Sequence, residues 1–194
     1  MIKLRHSTVD DAGAIARVQA LSWQATYRGM IPQDYLDAID VDAWAERHRG
    51  HMLEEPEGFV SYMAEEEGEI VGWALGGPNR DQRMIYSAEL FTIYLLPGYE
   101  RRGIGRMLMN AVARGLMSLG FESMIVWVLR DNWAAREFYE ALGGAYVVRG
   151  VMDLDGTDVP VVSYGWRNLG VLLEATDQGS GHCGEAGREG SASG

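Results

Sequence analysis

The chain has 194 residues, 47% of them hydrophobic and 23% charged, enough for a single globular domain with a sizeable core and too apolar for a wholly disordered chain. With 17 Lys+Arg against 28 Asp+Glu the formal net charge is −11, which argues against nucleic acid or an anionic membrane as partner, since both require phosphate neutralisation; a cationic partner is easier to accommodate. One cysteine, Cys183, excludes an intrachain disulfide framework and a cysteine-based zinc cluster. The opening residues Met1-Ile2-Lys3-Leu4-Arg5-His6 lack the apolar region of a signal peptide. No apolar run approaches the roughly 20 residues needed to cross a bilayer, so a cytoplasmic location is expected. Lys3 is the single lysine, and the arginine bias points to a GC-rich bacterial source.

Ile2–Ser7 alternates like a strand, and Ser7-Thr8-Val9-Asp10-Asp11 offers helix-capping chemistry. Ile15, Val18, Leu21 and Ala25, with Ala14, follow at helical spacing, and a second helical pattern covers Val41–Leu53. Gly58–Glu65 and Glu69–Gly76 read as strands joined by a turn at residues 65–68, and Glu89–Leu96 as a third, rich in β-branched and aromatic residues. Leu108, Val112, Leu116 and Leu119 stripe a helix over Gly105–Leu119, closed by Gly120. Ser123–Leu129 is a short apolar strand of the doubly covered kind, and Asn132–Leu142 a helix stopped by Gly143-Gly144. Tyr146–Leu154 and Val159–Trp166 form a hairpin around Asp155-Gly156. This order predicts an α/β (α+β) domain over residues 1–168, a mixed, mostly antiparallel sheet of six to seven strands flanked by about four helices. Residues 169–194 form a C-terminal segment, largely a flexible Gly/Ser-rich tail from Thr176, although Val171-Leu172-Leu173 is apolar enough to pack back or close a short helix.

Chemistry concentrates at Leu95-Leu96-Pro97-Gly98-Tyr99-Glu100-Arg101-Arg102-Gly103-Ile104-Gly105-Arg106-Met107-Leu108. A strand ends, a short loop follows, and glycines open an amphipathic helix whose first N–H groups lack intrahelical partners. Gly103 and Gly105 remove Cβ atoms, so an anion can approach the main chain, and Arg101, Arg102 and Arg106 add positive charge: the pattern of a pyrophosphate cradle. It is neither a Walker loop, which needs Gly-Lys-Ser/Thr, nor a dinucleotide fingerprint, which needs a third glycine where Leu108 stands. On this fragment alone a tight turn with solvated arginines reads equally well.

A second fragment, Asn132-Trp133-Ala134-Ala135-Arg136-Glu137-Phe138-Tyr139-Glu140-Ala141-Leu142-Gly143, follows one helix and one strand later. Together the two resemble the GNAT superfamily of N-acetyltransferases, which pairs an Arg/Gln-x-x-Gly-x-Gly/Ala loop with an Asn-x-x-Ala-x-x-Phe-Tyr-x-x-x-Gly helix. The resemblance spans about residues 2–166, its specific part about 87–147. It implies the GNAT fold and acetyl-CoA as co-substrate, with no metal. It also implies that Glu100, Arg101, Arg102, Gly103, Ile104, Gly105 and Arg106 hold the coenzyme A pyrophosphate, chiefly through main-chain amides. Glu100 departs from the family's Gln or Arg. Ile93, Tyr94 and Leu95 match the strand whose main chain pairs with the pantetheine arm, in a family where that strand bulges and splays from its neighbour. Asn132 and Tyr139 match positions at the cofactor arm and sulfur, Tyr139 as general acid toward the departing thiolate. Beside these roles stand plainer ones, a packed aromatic for Tyr139 and a helix N-cap for Asn132.

An amine nucleophile must first lose a proton. Glu89, a lone carboxylate on an apolar strand, is the candidate base; strict alternation puts it on one face with Phe91, Ile93 and Leu95, and Tyr94 on the other face as a lesser candidate. A strand-end Glu in solvent is the plain alternative. Trp23 and Tyr27, four apart on a helix, read as buried core more readily than as an acceptor pocket or a dimer contact. His48 and His51 have no carboxylate partner set that would make a metal site. The function expected is acetyl transfer to a primary amine of a small molecule, a peptide or a protein N-terminus, by an enzyme of class EC 2.3.1.-, with a homodimer left open. The alternatives are a non-catalytic acetyl-CoA-binding module acting as sensor or partner domain, and an O-acetyl- or longer-acyl-transferase.

Overall fold

The structure, a computed structural model, describes residues 1–54, 57–81 and 83–178. In chain order it runs β1 (Lys3–His6), a 3-10 turn at Val9–Asp11, α1 (Ala12–Thr26), α2 (Gln33–Asp37), α3 (Val41–Leu53), β2 (Val60–Glu66) and β3 (Glu69–Pro78). There follow β4 (Ala88–Leu95), α4 (Ile104–Ser118), β5 (Met124–Leu129), α5 (Trp133–Ala141), β6 (Ala145–Leu154), β7 (Thr157–Trp166) and α6 (Leu169–Gln178). The strands form one seven-stranded sheet in the order β1-β2-β3-β4-β5-β7-β6, antiparallel except where β4 meets β5. The mixed, mostly antiparallel sheet expected from the sequence is the sheet observed.

The glycines of β3 show how the two faces are divided. A Cβ on Gly72 or Gly76 would strike Leu108, Val112 or Leu116 of α4, whereas Trp73 between them packs with Ile15 of α1 and Met63 of β2. Thus α4 covers one face and α1, with α3 behind it, the other. On α4 Leu108, Val112 and Leu116 are fully buried as the stripe predicts, but Leu119 is half exposed, because Gly120 at φ +88° has already turned the chain out of the helix. On α1 the buried arc differs from the expected one: Ile15 and Val18 are buried, Leu21 and Ala25 are not, and Ala16, Ala20 and Ser22 are. Trp44 of α3 packs on Ala16 and Ala20, so a neighbouring helix as well as the sheet decides which residues of α1 are covered.

Two helices go beyond the four expected. The five residues of α2 are too few to show a period, and the helix forms around the buried Leu36. The C-terminal α6 buries Leu169 and Leu172, takes the Arg106 Nη1 hydrogen bond on the Ala175 carbonyl at 2.7 Å, and receives the Asn110 amide on the Thr176 hydroxyl at 2.6 Å. It runs through Gln178, past the point where tail composition begins; residues 179–194, Cys183 among them, lie outside the described residues.

The expected cap near Thr8 is anchored by charge. Asp11 accepts both guanidinium bonds of Arg5 at 2.7 Å and the Thr8 main-chain N–H at 2.7 Å. The Arg5 hydrogen bonds hold its carboxyl down to about 2. A carboxyl depressed on folding contributes stability above its unfolded value, near 3.9, and that contribution is lost as pH falls toward 2. With Arg5 partly exposed, urea titrations at pH 4 and pH 2 should show a loss of about 1–2 kcal/mol that is absent in Asp11→Asn.

Candidate active site

The site begins with a broken ladder. Thr92 of β4 pairs with Leu75 and Leu90 with Gly76, so Phe91 is an extra residue: a β-bulge. The bulge overturns the strict alternation expected for this strand. Gly77, opposite Glu89, lies on the α1 face, as does Trp73, opposite Tyr94, while Ala74, opposite Ile93, belongs to the α4-side core. Glu89 therefore shares its face with Thr92 and Tyr94, not with Ile93 and Leu95. Tyr94 does not lie across the sheet from it.

On the other side of β4 the parallel pairing with β5 stops at Leu90–Val126. Beyond it β4 stays with β3 and β5 with β7, and a wedge opens between them. The N-terminus of α5 sits at this wedge: Asn132 accepts the Ala135 N–H at 3.2 Å as an N-cap, and its side chain is buried. Tyr139, two turns along α5, packs against Phe138, Tyr164 and Trp166, and Arg136 donates to the Tyr164 hydroxyl at 3.1 Å, fixing the helix against β7.

Two hollows meet here. The larger, about 710 Å3, runs from Ile93, Tyr94 and Leu95 past Asn132 and Tyr139 to Glu100, Arg101, Gly103, Gly105 and Arg106. A volume of this order suits a cofactor-sized ligand. The smaller, about 170 Å3, lies on the side of α1 and α2 and is lined by Trp23, Tyr27, Ile31, Arg80 and Glu89 with residues of β4, β5, β6 and β7. Tyr27, Ile93, Tyr94, Asn132, Ala135 and Tyr139 border both. Burial holds the Tyr139 hydroxyl well above its ordinary range, with the neighbouring Tyr94 adding to the effect, and burial likewise raises Tyr94 and Tyr27. All three remain neutral donors at physiological pH.

The loop before α4 has the shape of an anion nest. Gly98, Arg101 and Gly103 all take left-handed backbone, at φ +88°, +62° and +80°, the conformation from which anion nests are built. Left-handed backbone strains a residue with a side chain, so Arg101 is a position where the loop shape is imposed on the residue. Gly103 supplies conformation; its missing Cβ faces open space. Gly105 supplies proximity: a Cβ there would lie 3.3 Å from the Phe138 ring, so the glycine brings α4 and α5 together rather than clearing room for an anion. The Glu100 carboxylate is occupied, accepting the Gly98 N–H at 2.8 Å.

The arginines divide. Arg102 gives both bonds to Glu66 at 2.8 Å and lies over the Tyr99 ring, while Arg106 holds Ala175 of α6. Among the described residues Arg101 makes no ion pair. Ile104 is fully buried, so only its main chain can face a ligand. His48 packs on Trp73 and bonds Gln19 at 2.8 Å, away from these hollows.

Glu89 is 2% exposed yet lines the smaller hollow. Its partner is Arg80, in the segment between β3 and β4, which donates through Nε at 3.0 Å and Nη2 at 2.5 Å and rests over the Phe91 ring. Arg80 was invisible to the sequence reading, because no spacing rule links a loop arginine to a strand residue nine positions on. Trp23 and Tyr27 pack with Ile31 and Leu36 and at the same time wall this hollow.

The family follows from comparison with known proteins. Residues 18–144 match the model of the Acetyltransferase (GNAT) family, and the chain belongs to that family. It is 33% identical over 172 residues to the uncharacterized N-acetyltransferase YuaI of Bacillus subtilis (strain 168), covering 89% of this chain and 96% of the relative. Its fold is similar to that of PaiA N-acetyltransferase from Thermoplasma acidophilum in complex with coenzyme A, at TM-score 0.66 and 21% identity, covering 86% of this chain and 99% of that one. It is also similar to YncA, a putative acetyltransferase from Salmonella typhimurium with its cofactor acetyl-CoA, at TM-score 0.64 and 19% identity, covering 87% and 94%. Among the described residues no helix is long and apolar enough to cross a membrane.

Proposed function

We propose that this protein transfers the acetyl group of acetyl-CoA directly to a primary amine, on a small molecule or on a peptide or protein N-terminus. The observation that carries this reading is the meeting of two hollows at Tyr139, one with a phosphate-type nest at its far end and one with a carboxylate in its wall. The chain's residues fit acetyl-CoA in three places. The left-handed turns at Arg101 and Gly103 offer main-chain donors to a pyrophosphate, with the Arg101 side chain beside them. The edge of β4 beyond Leu90, released from β5, offers main-chain groups to an extended amide-bearing arm. Asn132, which caps α5, and Tyr139, on that helix, line the hollow together with this edge.

Acetyl-CoA supplies an activated acyl group when bound. Freed main-chain N–H groups of β4 donate to the thioester carbonyl as it gains negative charge, a type of contribution worth about 3–4 kcal/mol per donor. Tyr139, kept neutral by burial, donates its proton to the departing sulfur. Glu89 takes the proton from the amine. Three of the roughly four acceptor sites of a carboxylate are used by Arg80, two on Oε2 including the 3.4 Å main-chain contact and one on Oε1, which leaves Oε1 one site for the amine.

Binding is tested by thermal unfolding. A ligand at about 100 times its Kd adds about 2.7 kcal/mol to the folded state, so millimolar acetyl-CoA should raise the melting temperature by several degrees. Chemistry is tested by thiol release across a panel of amines. Absence of both a melting shift and thiol release would sink the proposal.

A further inference from the structure

The smaller hollow carries an electrostatic pattern that narrows the acceptor, on the basis of the transferase reading above. Glu89 is the one acidic residue lining it among the described residues, and it is paired with Arg80. The pair is asymmetric. The Glu89 side chain is 3% exposed and that of Arg80 72%, so the carboxylate forms the wall and the guanidinium stands at the mouth, one face against Phe91. Arg has five N–H donors in a planar fork, of which Glu89 engages two from the side chain, leaving donors free at the mouth. Much of the rest of the wall is apolar, from Trp23, Ile31, Trp127, Leu129, Leu154 and Val161, with Tyr27, Thr92, Tyr94, Asn132 and Tyr139 as its uncharged polar members. Beneath it the Thr92 hydroxyl, shielded from solvent, has no hydrogen-bond partner, a deficit that a polar ligand group would relieve.

A monocationic amine with no anion would meet a carboxylate whose charge is already matched by Arg80, and a diamine would find no second carboxylate in this hollow. A zwitterion meets both charges at once. Its ammonium reaches the remaining acceptor site on Glu89 Oε1, and its carboxylate lies against the open donors of Arg80, two opposed dipoles side by side with no net charge brought into the hollow. A hollow of about 170 Å3 with these walls fits one modest apolar side chain, since a cavity of about 150 Å3 holds a benzene molecule.

We propose that the acceptor is a free α-amino acid with an apolar side chain, and that Arg80 is the residue that selects for its carboxylate. A peptide or protein N-terminus, whose α-carbon carries an amide in place of that carboxylate, is the acceptor class this arrangement disfavours.

The test is a thiol-release assay on the full chain at saturating acetyl-CoA, comparing leucine, methionine and phenylalanine with their amides and with a short aliphatic diamine. The expected result is a kcat/KM at least tenfold higher for each amino acid than for its amide or the diamine. In Arg80→Gln the acid-to-amide ratio should fall to about one or below, whatever the absolute rates, and Arg80→Lys should restore part of it. A purely structural role, holding Glu89 in place, would slow both acceptors together and leave the ratio unchanged, which overturns the proposal. So does an amide or diamine preferred by the unaltered enzyme, a result that leaves the transferase reading standing. The acetyl-CoA melting shift, measured on each variant, reports folding independently of the acceptor. No thiol release with any amine and no melting shift would bring down the transferase reading itself, and this inference with it.

Discussion

Replacing Tyr139 with phenylalanine should lower kcat by about 100-fold while the KM for acetyl-CoA moves by less than about threefold. The phenyl ring keeps the contacts with Phe138, Tyr164 and Trp166 that hold α5 against the sheet, so the wedge keeps its shape. Among the described residues the hydroxyl makes no hydrogen bond within the protein, so its removal strands no buried partner and the melting temperature should hardly change. What is lost is a proton donor that burial keeps neutral where a thiolate must leave. The expected signature is a lower kcat with a milder effect for thioesters whose thiol has a lower pKa, because a better leaving group needs less protonation. An unchanged kcat removes Tyr139 from the chemistry, and a raised KM at constant kcat reassigns it to binding.

Glu89→Gln is expected to cost about 100-fold in kcat/KM at pH 7 and to change the shape of the pH profile. The glutamine carbonyl still accepts from Arg80, so the guanidinium keeps a partner, but the side chain can no longer take a proton. The rate then depends on amine that is already free, and it should climb about tenfold per pH unit until the amine's own pKa, which in a free α-amino acid lies above the roughly 7.7–8.0 of a peptide α-amino group because the adjacent carboxylate favours the ammonium. The unaltered enzyme should show a shallower rise over the same interval. Parallel profiles for the two proteins would assign the proton to another acceptor and leave Glu89 as the counter-charge of Arg80.

The two glycine positions of the phosphate motif separate what spacing reveals from what it hides. The interval from Glu100 to Gly105 was legible because a loop that turns N–H groups inward needs residues able to adopt left-handed backbone, and Gly103 does so. Why Gly105 is glycine was not legible, since its reason is the Phe138 ring of another helix, 33 residues away in the chain. The arginines show the same division. Three positive charges near a helix start are visible in sequence, but Glu66 on β2 takes Arg102 and the Ala175 carbonyl takes Arg106, which leaves Arg101 as the cation among them that faces the larger hollow without an ion pair among the described residues.

By itself the sequence determined the order of the seven strands and of four of the six helices, the glycine loop before α4 and the Asn132–Tyr139 helix, because each depends on neighbours within a turn or a strand of one another. The sheet order, with its single parallel pairing where β4 meets β5, belongs to the tertiary structure, as does the bulge at Phe91 that moves Glu89 to the face of Tyr94. The pairing of that carboxylate with Arg80 belongs there too. An extra residue in one strand counts as extra only against the strand beside it, and local periodicity carries no record of that partner.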